Sequence, residues 1–193
     1  MKTIISSEDF RKVRPIAENL LDYKRIEPYI REVEQLDIIP AIGASLYQQV
    51  TDENFIQSLE STGSATITIG GIIIIITKEQ WEKFLNGDYY TCGNSCGCDN
   101  VQYSAGLIAA ISYLAYARML PNHQVNITAF GVVNKTTNYS EPVDEKTLFR
   151  AANEARKIGL EYLRQSIDHL RCFGLIDCRK ENQRYRKFKV IRN

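Results

Sequence analysis

The stretch Val101–Leu120, VQYSAGLIAAISYLAYARML, decides the fold class. From Gly106 onward nearly every residue is apolar or small, and Arg118 is the one charge. A helix that is apolar on all sides offers no face to water and belongs at the centre of a bundle. Pro121 is expected to end it. Amphipathic segments stand on either side to enclose it. In Arg25–Ile39, Ile26, Tyr29, Ile30, Val33, Leu36 and Ile39 recur at helical spacing between charges, with Pro28 in the first turn and Pro40 and Gly43 at the close. Ala44–Leu59 reads as a further helix with Leu46, Tyr47, Val50, Phe55, Ile56 and Leu59 inward. Ser7 caps a short N-terminal helix, and Thr77 caps another over Lys78–Leu85. Asp144 opens a long final helix, Glu145–Cys172, whose stripe runs from Leu148 through Ala152, Ala155, Ile158 and Tyr162 to Ile167 and Leu170. The pattern predicts a mainly α protein, a helical bundle of about five or six helices with one or two small β-hairpins and a basic C-terminal arm.

The hairpins come from two stretches, the first of them without any charge. Ser61–Thr77 reads STGSATITIGGIIIIIT. Ala65–Ile69 and Ile72–Ile76 flank Gly70-Gly71, the two-residue signature of a primed turn, so a hairpin insertion is expected near 65–76. Thr66 and Thr68 leave one face of the first strand polar, whereas the five isoleucines fill both faces of the second. An exposed neutral isoleucine strand is an aggregation hazard, so something must cover it. Asn122–Val143 carries a second β-element around Val125, Ile127, Phe130, Val132 and Val133, then turns polar and irregular. Tyr89–Asn100, rich in Cys, Gly and Asn, reads as a loop.

The 193 residues are 44% hydrophobic and 24% charged, which excludes a wholly disordered chain. The formal charge is +1, so no global field points to nucleic acid or a membrane. That near-neutrality hides an asymmetry. Residues 179–193 hold seven Lys/Arg against one Glu, a net of +6, which leaves −5 for residues 1–178. The expected organisation is one helical domain over 1–178 and a basic arm over 179–193. With the polar run Ser6-Ser-Glu-Asp9 after Ile4 and Ile5, no secretion signal is expected, and the longest apolar run, Ile72–Ile76, is far short of the roughly 20 residues of a membrane span.

Little in the composition suggests catalysis. There are two histidines, His123 and His169, and no P-loop, GxGxxG, HExxH or GxSxG motif. Glu32, Glu34 and Asp37 read as a solvated charged face. Cys92, Cys96 and Cys98 form the one cluster with site-like chemistry. Thiolates at that spacing can hold a soft metal, but a structural zinc site wants four ligands, and here the fourth would be a distant Cys172, Cys178 or His169. Free thiols are expected, with a metal or a disulfide as the alternatives; no metal or other cofactor is expected. The arm interleaves Arg184, Arg186, Lys187 and Lys189 with Tyr185, Phe188, Val190 and Ile191. It suits docking on an acidic protein surface, a disordered tail, or contact with a phosphate backbone.

The stretch Tyr23-Lys-Arg-Ile-Glu-Pro-Tyr-Ile-Arg-Glu-Val-Glu-Gln-Leu-Asp-Ile-Ile-Pro-Ala-Ile-Gly43, followed by Leu46-Tyr47, resembles the opening of phage and prophage head–tail connector proteins of the Bacteroides type. The helix Tyr113-Leu-Ala-Tyr-Ala-Arg118, the segment Thr128-Ala-Phe-Gly-Val-Val133 and the long final helix extend the resemblance over residues 5–175. The resemblance implies a non-catalytic adaptor in the virion or the bacterial cytoplasm, assembled as a ring between the portal and the adjacent neck or tail protein. The Ile-rich hairpin and the Cys loop have no match in it. The expected assembly surface comprises Ile73 and Ile75 on the hairpin, Phe130 and Val132 on the second β-element, and Arg184, Arg186, Lys187 and Lys189 on the arm. A small bacterial nucleic-acid-binding or regulatory domain, using the same arm, is the alternative.

Overall fold

A computed structural model gives the fold and describes residues 3–13, 23–93, 99–122, 125–128, 131–134 and 145–176. The chain is mainly helical, with small antiparallel hairpins set between the helices. Helix α1 spans Ser7–Val13 and α2 Tyr23–Val33. The latter runs on through a π-helical turn, Glu34–Ile38, into the short α3, Ile39–Ile42. Next come α4, Ala44–Val50, and α5, Glu53–Thr62. Strands β1, Ser64–Ile69, and β2, Ile72–Thr77, precede α6, Lys78–Asn86. Strands β3, Asp88–Gly93, and β4, Asp99–Ser104, lead into α7, Leu107–Asn122. After β5, Val125–Thr128, and β6, Gly131–Asn134, the long α8 covers Glu145–Cys172.

Helix α7 is the centre that its composition requires. It buries Leu107, Ala110, Ile111, Leu114 and Ala115, and packs against α1, α2, α6 and α8. Ile26, Ile30 and Val33 come from α2, and Leu163, Ile167 and Leu170 from α8. The approach of α7 to α8 is close at Gly159, where a Cβ would lie 2.8 Å from Leu114 Cγ. Glycine there lets the two backbones meet. Arg118, the charge on α7, reaches Asp37 at 2.8 Å and Glu32 at 3.6 Å.

Several boundaries differ from the sequence reading. Ala44–Leu59 is two helices, because Asp52 takes an extended backbone and its carboxylate accepts from the Asn54 N–H at 2.7 Å, capping α5. Val101–Ser104 is strand, and α7 begins only after Gly106, whose φ is +87°. Gly87, at φ +86°, faces it: a Cβ on Gly106 would sit 2.4 Å from the Gly87 nitrogen. Two glycines thus allow the base of the β3–β4 hairpin to close where the apolar run alone suggested more helix. At the other end α7 takes in Pro121 and finishes at Asn122, whose side-chain amide donates to the Arg118 carbonyl at 3.1 Å. The hairpin β3–β4 stands where a loop was expected over Tyr89–Asn100. The arm, residues 179–193, lies outside the described residues.

Candidate assembly surface

The β1–β2 hairpin forms as its residues dictate. Gly70 and Gly71 take φ of +58° and +84°, the left-handed pair a two-residue primed turn demands. The register pairs Ala65 with Ile76, Thr66 with Ile75, Ile67 with Ile74 and Thr68 with Ile73. One face, Ala65, Ile67 and Ile76, is buried in the core. The other carries Thr66, Thr68, Ile73 and Ile75, with Ile73 at 69% and Ile75 at 68% exposure. Both isoleucines proposed from the sequence therefore sit side by side on an open face.

The outer edge of β1 is occupied at Thr68. The Gln49 side chain donates to the Thr68 carbonyl at 2.8 Å and accepts from the Thr68 N–H at 2.7 Å, standing in for a third strand. Beside it, α5 and β1 border an open groove of about 450 Å³ lined by polar side chains including Asn54, Ser58 and Thr62.

The β3–β4 hairpin presents a second open face. Tyr89 pairs with Tyr103 across the strands, their rings 5.2 Å apart, and Tyr89, Val101 and Tyr103 are all exposed. Sequence reasoning missed this face. Its signal was the alternation Tyr89, Thr91 against Val101, Tyr103, hidden by the Cys-Gly run between the strands. The opposite face turns inward: Tyr90 stacks on His169 of α8, ring centroids 3.9 Å apart. His169 is fully buried, neither ring nitrogen has a hydrogen-bond partner among the described residues, and burial pushes its pKa down to about 4. The imidazole is therefore neutral and packs as an aromatic ring among Phe84, Tyr90 and Phe173.

Cys92 on β3 is bonded to Cys172 at the end of α8, with their Cα atoms 5.3 Å apart. This corrects the expectation of a free thiol at Cys92 and removes it as a metal ligand. The pairing arises because β3 lies along α8, which no local spacing in the sequence reveals. Cys96 and Cys98 lie outside the described residues. Among the described residues no group of three or more His, Cys, Asp or Glu is placed to hold a metal.

Of the acidic trio on α2 and its π-turn, Glu32 is exposed as expected, whereas Asp37 is half-buried and Glu34 leaves the solvated face altogether. Glu34 is buried and accepts from the Tyr47 hydroxyl at 2.6 Å and the Ile4 N–H at 2.7 Å. Desolvation raises its pKa against the pull of those donors. Its role is to hold the N-terminal segment to the bundle. The second β-element exists as the pair β5–β6, with Val132 opposite Ile127. Phe130, and Arg184, Arg186, Lys187 and Lys189 of the arm, fall outside the described residues. Among the described residues no helix is long and apolar enough to cross a membrane.

A family of unknown function, DUF6712, matches residues 38–172, well over half of the chain, and the chain belongs to that family. No curated protein and no solved structure matches it.

Proposed function

We propose that this chain is a structural assembly protein, a head–tail connector subunit of a phage or prophage that works by joining copies of itself and a portal or neck partner. The observation that carries the reading is the pair of neutral, open hairpin faces. Each is anchored by its other face, β1–β2 through Ile67 and Ile76 and β3–β4 through Tyr90. Exposed apolar surface on a firmly packed body is the mark of a contact site rather than of a catalytic cleft. The resemblance to connector proteins supplies the identity of the partners. The protein would then reside in the virion, or in the bacterial cytoplasm when expressed from a prophage.

Electron microscopy of the purified chain, alone and mixed with its portal protein, tests the reading. Rings, or density added to the portal, are expected. Ile73→Lys combined with Ile75→Lys should weaken association while leaving the circular dichroism spectrum unchanged, because both side chains are exposed. A chain that ignores the portal and instead binds DNA in a salt-dependent way would overturn the proposal in favour of a nucleic-acid-binding module.

A further inference from the structure

The two edges of the β1–β2 hairpin are not equivalent. Thr68 gives both its backbone N–H and its carbonyl to Gln49, so it exchanges no ladder bonds with Ile73 opposite. In an antiparallel pair such a position alternates with bonded ones, and both members point their backbone groups outward. Ile73 therefore aims its N–H and C=O away from β1, and Ile75, two residues on, does the same. Among the described residues no strand lies beyond β2 and no hydrogen bond reaches those groups. The β1 edge is plugged at Thr68, whereas the β2 edge is open at both Ile73 and Ile75.

We propose that the open edge of β2 pairs antiparallel with β2 of a second copy of this chain, about a two-fold axis at Ile74. That register sets Ile73 opposite Ile75 of the second copy, and Ile75 opposite its Ile73. These are the residues whose backbone groups point outward, so two bonded pairs form and no outward donor at either position is left over. The strand Ile72–Thr77 is uncharged, so no like charges meet across the axis. Lys78 falls beside Gly70 of the second copy rather than beside another charge. Ile73 and Ile75 of the two copies then share one face and shield one another.

The basic arm is the less suitable occupant, because Arg186, Lys187 and Lys189 would lie against isoleucines with no carboxylate on the strand to meet them. The contact is isologous and stops at two copies, since each copy spends the same β2 edge on the other. A ring, on the connector reading, would need other surfaces, such as the exposed Tyr89–Tyr103 face. One six-residue strand per copy is small beside the roughly 1,200 Å² of a stable interface, so the pair should form in a concentration-dependent way. The proposal rests on the free edge and stands or falls separately from the connector reading.

Sedimentation of the full chain from micromolar to millimolar concentration should show its mass doubling. Ile73→Pro removes an outward donor without touching the β1 ladder and should hold the chain monomeric with its fold retained. A second measurement fixes the register. Under oxidising conditions the double variant Ile73→Cys, Ile75→Cys should crosslink to dimers above the wild-type background. Either single cysteine should not, because identical positions are diagonal neighbours about 7–8 Å apart and beyond disulfide reach. A chain that stays monomeric throughout overturns the proposal. So does a dimer that survives Ile73→Pro, one abolished by removing residues 179–193 instead, or single cysteines that crosslink as well as the pair.

Discussion

His169 and Glu34 are buried ionisable groups whose environments act on stability with opposite signs. The imidazole, desolvated among Phe84, Tyr90 and Phe173, is held down to about 4 from an ordinary 6.5. Its folded pKa lies below its unfolded one, so its contribution is complete above pH 6.5 and is lost as the pH falls towards 4. The full loss approaches about 3 kcal/mol. Glu34 is raised, mainly by desolvation. Its contribution is present below the ordinary carboxylate range and declines as the pH rises through its folded value. Urea denaturation midpoints followed across pH should therefore fall steeply on the acid side. In His169→Phe, which keeps an aromatic ring in the stack, that acid slope should largely disappear. An unchanged slope would mean that the imidazole is not the group responsible.

Among the elements, the α7–α8 contact is the one most sensitive to a single atom. Alanine in place of glycine normally favours a helix by about 1 kcal/mol. At Gly159 the added Cβ would lie 2.8 Å from Leu114 Cγ and 3.0 Å from the Leu114 nitrogen, and the backbone nitrogen cannot swing aside. Gly159→Ala should lower the melting temperature despite its better propensity, and a rise would show that the helices separate freely. The existence of both helices was legible from the apolar run at Gly106–Leu120 and the stripe ending at Leu170. Their closest point was not, because a glycine within a long helical pattern looks the same whether it faces solvent or a neighbour. The β1–β2 hairpin was legible down to its turn, since Gly70-Gly71 between β-branched runs has few other uses. The β3–β4 hairpin was not: its strands flank a Cys-Gly segment, and half of β4 merges into the apolar run that opens α7. Glu34 looked solvated because it is charged, although it stands four residues after Ile30 on the same buried stripe as Ile26 and Val33.

For the whole molecule the informative quantity is the separation of charge. The body carries −5 and the arm +6, and a near-zero total conceals both. Charge opposition of this kind accelerates encounter and loses effect as salt shortens the screening length to about 3 Å at 1 M. Under the connector proposal, removing residues 179–193 should leave the melting curve of the body unchanged and slow its association with portal particles at low salt. At high salt the full and shortened chains should associate at similar rates. Stopped-flow or surface-capture kinetics at two salt concentrations separate these outcomes, and equal rates at low salt would exclude a steering role for the arm.

The bond between Cys92 and Cys172 spans a sequence separation of 80 and makes the intervening chain a closed covalent circuit that contains all of α7 and α8. A circuit opened at one point is still one molecule. Limited proteolysis that cuts once between Gly93 and Arg171 should therefore leave the apparent mass intact on a non-reducing gel and yield two fragments only after a reductant is added. If a single cut releases a fragment without reductant, β3 and the end of α8 are not covalently joined in the protein sampled.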